Sequence, residues 1–275
     1  MACSPEERAQ RERLERLYVQ GQAPVMRAIE RRVCGCDHGG SSWTTRDEAD
    51  RISVMLGLRP GRHLLEVGAG SGWPGLYLAR RTGCDVTLVD LPFSGLRIAA
   101  KRALAEGLPG TCLTALADAA CLPFGDASFD AISHSDVLCC LRDKGAVLGE
   151  CRRLIRPEGR MVFTVISVTP GLSPLEHRRA VDNGPEFVEA PAGYPTLLAE
   201  AGWIVVDHED LTAEYAASIR RQIAADDQHR DGLIALIGSA AFAERQREWR
   251  AKLSVLDDGL LRRELLVAAP RPAWP

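Results

Sequence analysis

Lysine is nearly missing from this chain of 275 residues: it stands only at positions 101, 144 and 252, so almost all of the 34 basic residues are arginine. An excess of one charge sign is missing too, since 37 acidic residues leave a net charge of −3. A nucleic-acid platform needs a clustered cationic excess, and no aromatic-plus-basic ribbon suited to RNA is seen. No apolar run approaches the ~20 residues that span a bilayer. The stretch from Ser4 to Arg16 is densely charged, unlike a secretion signal. Metal-ligand spacing is also absent. The nine cysteines include Cys34 and Cys36, one residue apart, with no second close pair at zinc-finger distance. Cys139 and Cys140 are adjacent, and a bridge between them would be strained. Reduced thiols, a cytoplasmic setting, no metal, no membrane and no nucleic-acid partner are therefore expected.

What is present is an ordinary globular composition, 46% hydrophobic and 26% charged. Glu6 to Val19 and Val25 to Val33 read as amphipathic helices, broken by the Cys34–Gly40 loop. Thr45 and Glu48 form a capping-box pair for a helix running through Ile52, Met55 and Leu56. From His63 the rhythm changes. His63–Val67, Asp85–Val89, Thr111–Leu116, Phe129–His134 and Arg160–Val168 are strand candidates, separated by helix-like segments. Strands alternating with helices argue for a parallel sheet covered on both faces. Thr169–Tyr194, rich in proline and glycine, reads as a long loop. Trp203–His208 and Leu260–Ala268 read as later strands around a helical, arginine-rich stretch, Ala213–Leu256. The expected organisation is a helical cap over residues 1–60, then a binding domain over 61–275 with a helical insertion at about 169–256.

The strongest local signal is His63-Leu64-Leu65-Glu66-Val67-Gly68-Ala69-Gly70-Ser71-Gly72-Trp73-Pro74-Gly75. An apolar strand enters a glycine-dense turn and leaves as a helix. Glycines permit positive φ and close approach of a ligand to the main chain, and free N–H groups at a helix start attract polar or negative groups. Asp90 ends the next strand, where an acid can hold a ribose diol. The same residue could instead cap the helix near Pro92. Gly70 to Gly75 also matches G-x-G-x-x-G, so a nicotinamide cofactor competes at this point.

Further segments narrow the choice. Glu66-Val67-Gly68-Ala69-Gly70-Ser71-Gly72, then Asp90, Asp118-Ala119-Ala120-Cys121-Leu122-Pro123-Phe124, Phe129-Asp130-Ala131-Ile132 and Leu154-Ile155-Arg156-Pro157-Glu158-Gly159 occur in that order. The set resembles class I S-adenosylmethionine-dependent methyltransferases over roughly residues 60–168. That resemblance implies a Rossmann-like, doubly wound, mostly parallel seven-stranded sheet with a helical cap. It implies S-adenosyl-L-methionine as cofactor and S-adenosyl-L-homocysteine as product. It would set Glu66 near the methionine amino group, Gly68, Ala69 and Gly70 beneath methionine and ribose, and Asp90 on the ribose hydroxyls. Leu91 would pack on adenine, Asp118 would accept from its amino group, and Ala119 would touch the ring. His134 and Ser135 would face the methionine moiety and the methyl group. Trp43 belongs to a region that folds over the cofactor in related enzymes. Trp73-Pro74 and Cys139-Cys140 depart from the family pattern, relatives often carrying His or bulkier residues at the cysteine positions.

Methyl transfer from a sulfonium is chiefly a matter of alignment, with a base needed only for a protonated acceptor. His134 is the base candidate. Asp136 reads as a helix cap, Asp130 as structural and His38 as a solvated loop residue, while Tyr194, Tyr215, Phe242 and Trp249 are lid candidates. The expected partner is a small-molecule acceptor, methylated on O, N or C by a monomer or homodimer. An NAD(P)-dependent oxidoreductase and a non-catalytic cofactor-binding module are the alternatives.

Overall fold

The computed structural model describes residues 4–272. One seven-stranded sheet runs in the order β3-β2-β1-β4-β5-β7-β6. Its strands are β1 (His63–Val67), β2 (Asp85–Asp90), β3 (Cys112–Leu116), β4 (Phe129–Ser135), β5 (Ile155–Val168), β6 (Trp203–Asp210) and β7 (Leu261–Pro270). The first five are parallel, and β7 runs antiparallel between β5 and β6. β1 and β2 are buried along nearly their whole length, as strands covered on both faces must be, which is why their sequences read as apolar runs. The chain winds one way from β1 to β3 and the other way from β4. The crevice at the carboxyl ends of β1 and β4 is therefore where such sheets bind ligands.

Three helices precede the sheet: α1 (Pro5–Gly21), α2 (Pro24–Cys34) and α3 (Arg46–Met55). α1 and α3 both begin with capping boxes, Ser4 with Glu7 and Thr45 with Glu48, each such cap contributing about 1 kcal/mol. Between strands lie α4 (Gly75–Thr82), α5 (Phe93–Glu106) and α6 (Lys144–Leu154). α5 has no side-chain cap of its own. Its first N–H groups, on Phe93 and Ser94, donate to the Glu15 carboxylate of α1 at 2.7 and 2.8 Å. A carboxylate at a helix start is favoured by the helix dipole, so this contact pins α1 across the carboxyl edge of the sheet.

Two expectations need correction. Thr169–Tyr194 is not one long loop. It contains α7 (Pro174–Asn183), started by a third capping box from Ser173 and Glu176 with Pro174 in the first turn. Proline reads as a breaker, yet at a helix start its missing N–H costs nothing. The second correction concerns the start of β5, expected at Arg160. β5 begins at Ile155, opposite Phe129, and the next paired residues are Ala131 and Arg160. The Arg156–Gly159 segment is thus an excursion within the strand. After β5 come α7, α8 (Tyr194–Glu200), β6, then α9 (Thr212–Gln228), α10 (Arg230–Ile237) and α11 (Ser239–Asp257) before β7.

Candidate active site

A cavity of about 420 Å³ opens at the carboxyl ends of β1, β2 and β4. A broader, shallow groove beside α1, lined by Arg13, Leu17, Val19, Gln20 and Leu236, holds none of the motif residues. The cavity's floor is the turn after β1. Gly68 and Gly70 lie at φ of 68° and 51°, a region that favours glycine. A Cβ on Gly68 would collide with Val137, and one on Gly70 would press on the Tyr18 ring at 2.8 to 2.9 Å. The turn is stitched to the tip of β2. Ala69 N–H donates to the Val89 carbonyl at 3.0 Å. Gly70 N–H donates to the Asp90 carboxylate at 2.7 Å.

Asp90 is therefore not the cap of α5. Its second oxygen accepts from Leu91 N–H at 2.8 Å, and Glu15 does the capping instead. Burial pushes the Asp90 carboxyl up to about 6, against the pull of those two N–H groups. Asp118 stands beyond β3, one carboxylate oxygen accepting from Ala120 N–H at 2.9 Å. Ala119, Leu91, Ser135 and Trp43 complete the set of expected residues on the cavity wall. The Trp43 ring packs edge-on against Tyr215 and Trp249, with centroids 5.2 and 5.4 Å apart. Of the other lid candidates, Tyr194 and Phe242 are core residues.

Two expected residues lie elsewhere. Glu66 does not line the cavity. It is buried within the sheet, where its side chain lies against Gly75 at the start of α4. It accepts from the Ser133 hydroxyl, and burial raises its carboxyl to about 7. His134 is 1% exposed and stacks on Phe163 of β5, centroids 4.5 Å apart. Neither ring nitrogen has a partner, and burial lowers its pKa to about 3, so the ring is neutral. The physical reason is depth along the strands: the cavity meets β1 and β4 at their last residues, Val67 and Ser135, and Glu66 and His134 each lie one residue further in, on opposite faces of the sheet. Among the described residues no histidine lines the cavity. His38 is a buried residue rather than a solvated one, set against Trp73 at 5.2 Å with burial lowering it to about 3.

Asp136 is not a helix cap. It sits at φ 56°, lines the cavity, and accepts from Arg263 Nε at 3.0 Å. Asp143 caps α6. Asp130 accepts from His63 N–H at 2.9 Å and pairs with Arg156 at 2.8 Å, joining β4 to its neighbours.

Composition and spacing did not point to the α1 face. Glu7, Gln10, Arg11, Leu14 and Tyr18 all line the cavity, at positions close to the helical i, i+3, i+4, i+7 repeat. In the sequence this face looks like a charged, solvated one. Gln10 is 8% exposed and its Nε2 has no partner; the Ser71 hydroxyl, also on the cavity wall, is likewise buried and unpartnered.

A methyltransferase-domain family model matches residues 65–163. The chain is 29% identical to methyltransferase GfsG of Streptomyces halstedii over 73% of this chain and 72% of that one. It is 23% identical to phosphoethanolamine N-methyltransferase 1 of Zea mays, covering 83% of this chain but 44% of that enzyme. A solved phosphoethanolamine N-methyltransferase 2 of Haemonchus contortus, bound to phosphomonomethylethanolamine and S-adenosylhomocysteine, superposes with a TM-score of 0.78 at 18% identity, over 94% of this chain and 60% of that one.

The chain carries a methyltransferase domain over residues 65–163, on the fold of S-adenosylmethionine-dependent methyltransferases.

Its cofactor is S-adenosylmethionine, and the nicotinamide alternative falls away. This methyltransferase's cavity fits that molecule on its own chemistry. Asp90 keeps acceptor lone pairs for a diol, the bare glycine turn leaves room for a ligand's chain, and two orphaned polar groups, on Ser71 and Gln10, await partners. No helix among the described residues is long and apolar enough to cross a membrane, and none of their groups of His, Cys, Asp and Glu is arranged to hold a metal.

Proposed function

We propose that this enzyme methylates an O, N or C atom of a small, largely apolar molecule, using the cavity under α1 for both cofactor and acceptor. The observation that carries the cofactor placement is the Asp90 carboxylate, locked at 2.7 Å to the Gly70 N–H at the tip of β2. In this reading Asp90 holds the ribose hydroxyls, Leu91 and Ala119 sandwich the adenine, and Asp118 accepts from its amino group. Gly68, Ala69 and Gly70 pass beneath ribose and methionine. Ser135 and Trp43 border the methionine end. Neither Glu66 nor His134 takes part, since neither lines the cavity.

S-adenosylmethionine, when bound, supplies a methyl group already activated on a sulfonium. The protein's work is then to hold the acceptor in line and keep water out. Leu14, Trp43, Val137, Cys139, Leu141, Val147 and Ile166 give that chamber apolar walls, the ordinary make-up of a small-molecule site. With no histidine on the wall, the acceptor's own nucleophilicity carries the step, and the pH profile of turnover follows the acceptor's ionisation.

The first 60 residues and the α7–α11 region act as the cap over this chamber. An acidic balance and apolar walls support a small-molecule partner over nucleic acid or membrane, acting as monomer or homodimer. The eight described cysteines are all free, which supports a reducing, cytoplasmic setting. Calorimetric titration with S-adenosylmethionine and NADH side by side tests the reading. Saturable heat with the first and none with the second is expected, and the reverse would end it.

A further inference from the structure

Arg263, on β7, is fully buried. Its Nη1 donates to both Glu48 carboxylate oxygens at 3.0 Å, and its Nε to Asp136 at 3.0 and 3.3 Å. Nη2 reaches the Thr44 and Thr164 hydroxyls at 3.4 and 3.3 Å. The Glu48 and Asp136 side chains are 5% and 8% exposed. Two carboxylates around one guanidinium leave one formal negative charge in a buried cluster. Part of that cluster faces the cavity, because Asp136 lines it between Ser135 and Val137. Val137 in turn touches the place where a Gly68 side chain would be, so Asp136 lies across from the glycine turn. The arrangement holds Asp136 in a left-handed backbone conformation that non-glycine residues seldom adopt. A residue kept there by three sequence-distant elements points to a functional demand on its position.

The cofactor and its spent product differ by one charge at sulfur: the sulfonium is cationic and the thioether neutral. Resting on the cofactor reading above, we propose that the Glu48–Arg263–Asp136 cluster is an electrostatic selector that favours the sulfonium over the thioether. A net negative charge shielded from water acts over longer range than a surface charge, because less solvent screens it. It stabilises the loaded cofactor and leaves the product without that gain, so turnover itself weakens retention in the cavity. Arg263 is a positioning residue here. It fixes Asp136 and cancels one of the two carboxylate charges.

The test is calorimetric titration of the full chain at pH 8 with S-adenosylmethionine and S-adenosylhomocysteine, comparing wild type with Glu48→Gln and Asp136→Asn. Glutamine keeps the capping-box role at position 48 while removing the surplus charge. In both variants the Kd for S-adenosylmethionine rises about fivefold or more while that for S-adenosylhomocysteine changes by less than about twofold. Arg263→Lys, which preserves the charge count, keeps the wild-type ratio of the two Kd values. An unchanged ratio in Glu48→Gln and Asp136→Asn, including equal weakening of both ligands, overturns the selector and leaves the cluster a scaffold. If wild type binds neither ligand, the cofactor reading of the cavity fails first and the selector with it. Should Glu48→Gln not fold, Asp136→Asn alone decides the question.

Discussion

The two sides of the cavity are built in different ways. The β1–β2 side is local: a glycine turn and an acid 20 positions apart, joined by main-chain and carboxylate hydrogen bonds. The opposite side is assembled from afar. Arg263 meets Glu48 across 215 positions and Asp136 across 127, and α1 is clipped to α5 across 78. The local side depends on backbone shape, which few residue types can satisfy. The distant side depends on charge pairing and helix faces, which many sequences can supply. One side is therefore legible as a motif and the other is not.

That contrast can be broken or sharpened in four ways. The largest effect belongs to Gly70→Val. A side chain there would meet the Tyr18 ring and force an unfavourable positive φ, so calorimetry should show no detectable S-adenosylmethionine binding. Retained binding would move the cofactor away from the turn. Next is Arg263→Met, which strands two buried carboxylates. Removing one partner of a buried ion pair typically costs about 3–5 kcal/mol, and the denaturant midpoint should fall accordingly. A loss below about 1 kcal/mol would mean that water reaches the cluster and the distant side is not held by charge.

Asp90→Ala should weaken S-adenosylmethionine binding by more than ~1 kcal/mol, at least about fivefold in Kd. Wild-type affinity in that variant would remove the ribose role. The same residue sets a pH dependence. Its folded-state pKa of about 6 lies above the ordinary 3.8, so the fold favours the protonated form. Ionising it costs stability between about pH 4 and pH 6, a cost absent at lower pH and complete above about pH 6. A diol needs the ionised carboxylate, so cofactor affinity should decline below about pH 6 and the decline should vanish in Asp90→Asn. Persistence of the decline in that variant would assign it to another group.

The smallest effect is expected at the residue that seemed most chemical. His134→Phe should leave kcat within about twofold and its pH profile unshifted, because the ring lies in the core against Phe163. A hundredfold loss of kcat with unchanged thermal stability would return His134 to the active site.

His134 and Glu66 show where reading along the chain ran out. Both sit beside residues that do line the cavity, Ser135 and Val67. Each lies one residue short of the strand end where the cavity opens, and the sequence does not say how far along a strand a ligand reaches. Gln10 and Tyr18 were hidden differently, on a helix whose charged composition looks solvated until α5 is placed under it. The α7 helix was masked by Pro174 at its start and by the prolines flanking it.

What the sequence determined alone was the alternation of strand and helix, the glycine turn, the acid at the tip of β2 and the capping box of α3. All of these are set by short-range sterics and hydrogen bonding, which act between residues close in the chain. Tertiary structure alone decided that α1 roofs the cavity, that Arg263 gathers Glu48 and Asp136, and that His134 faces inward. Those depend on which elements the burial of apolar surface brings together, and that free energy carries no direction along the sequence.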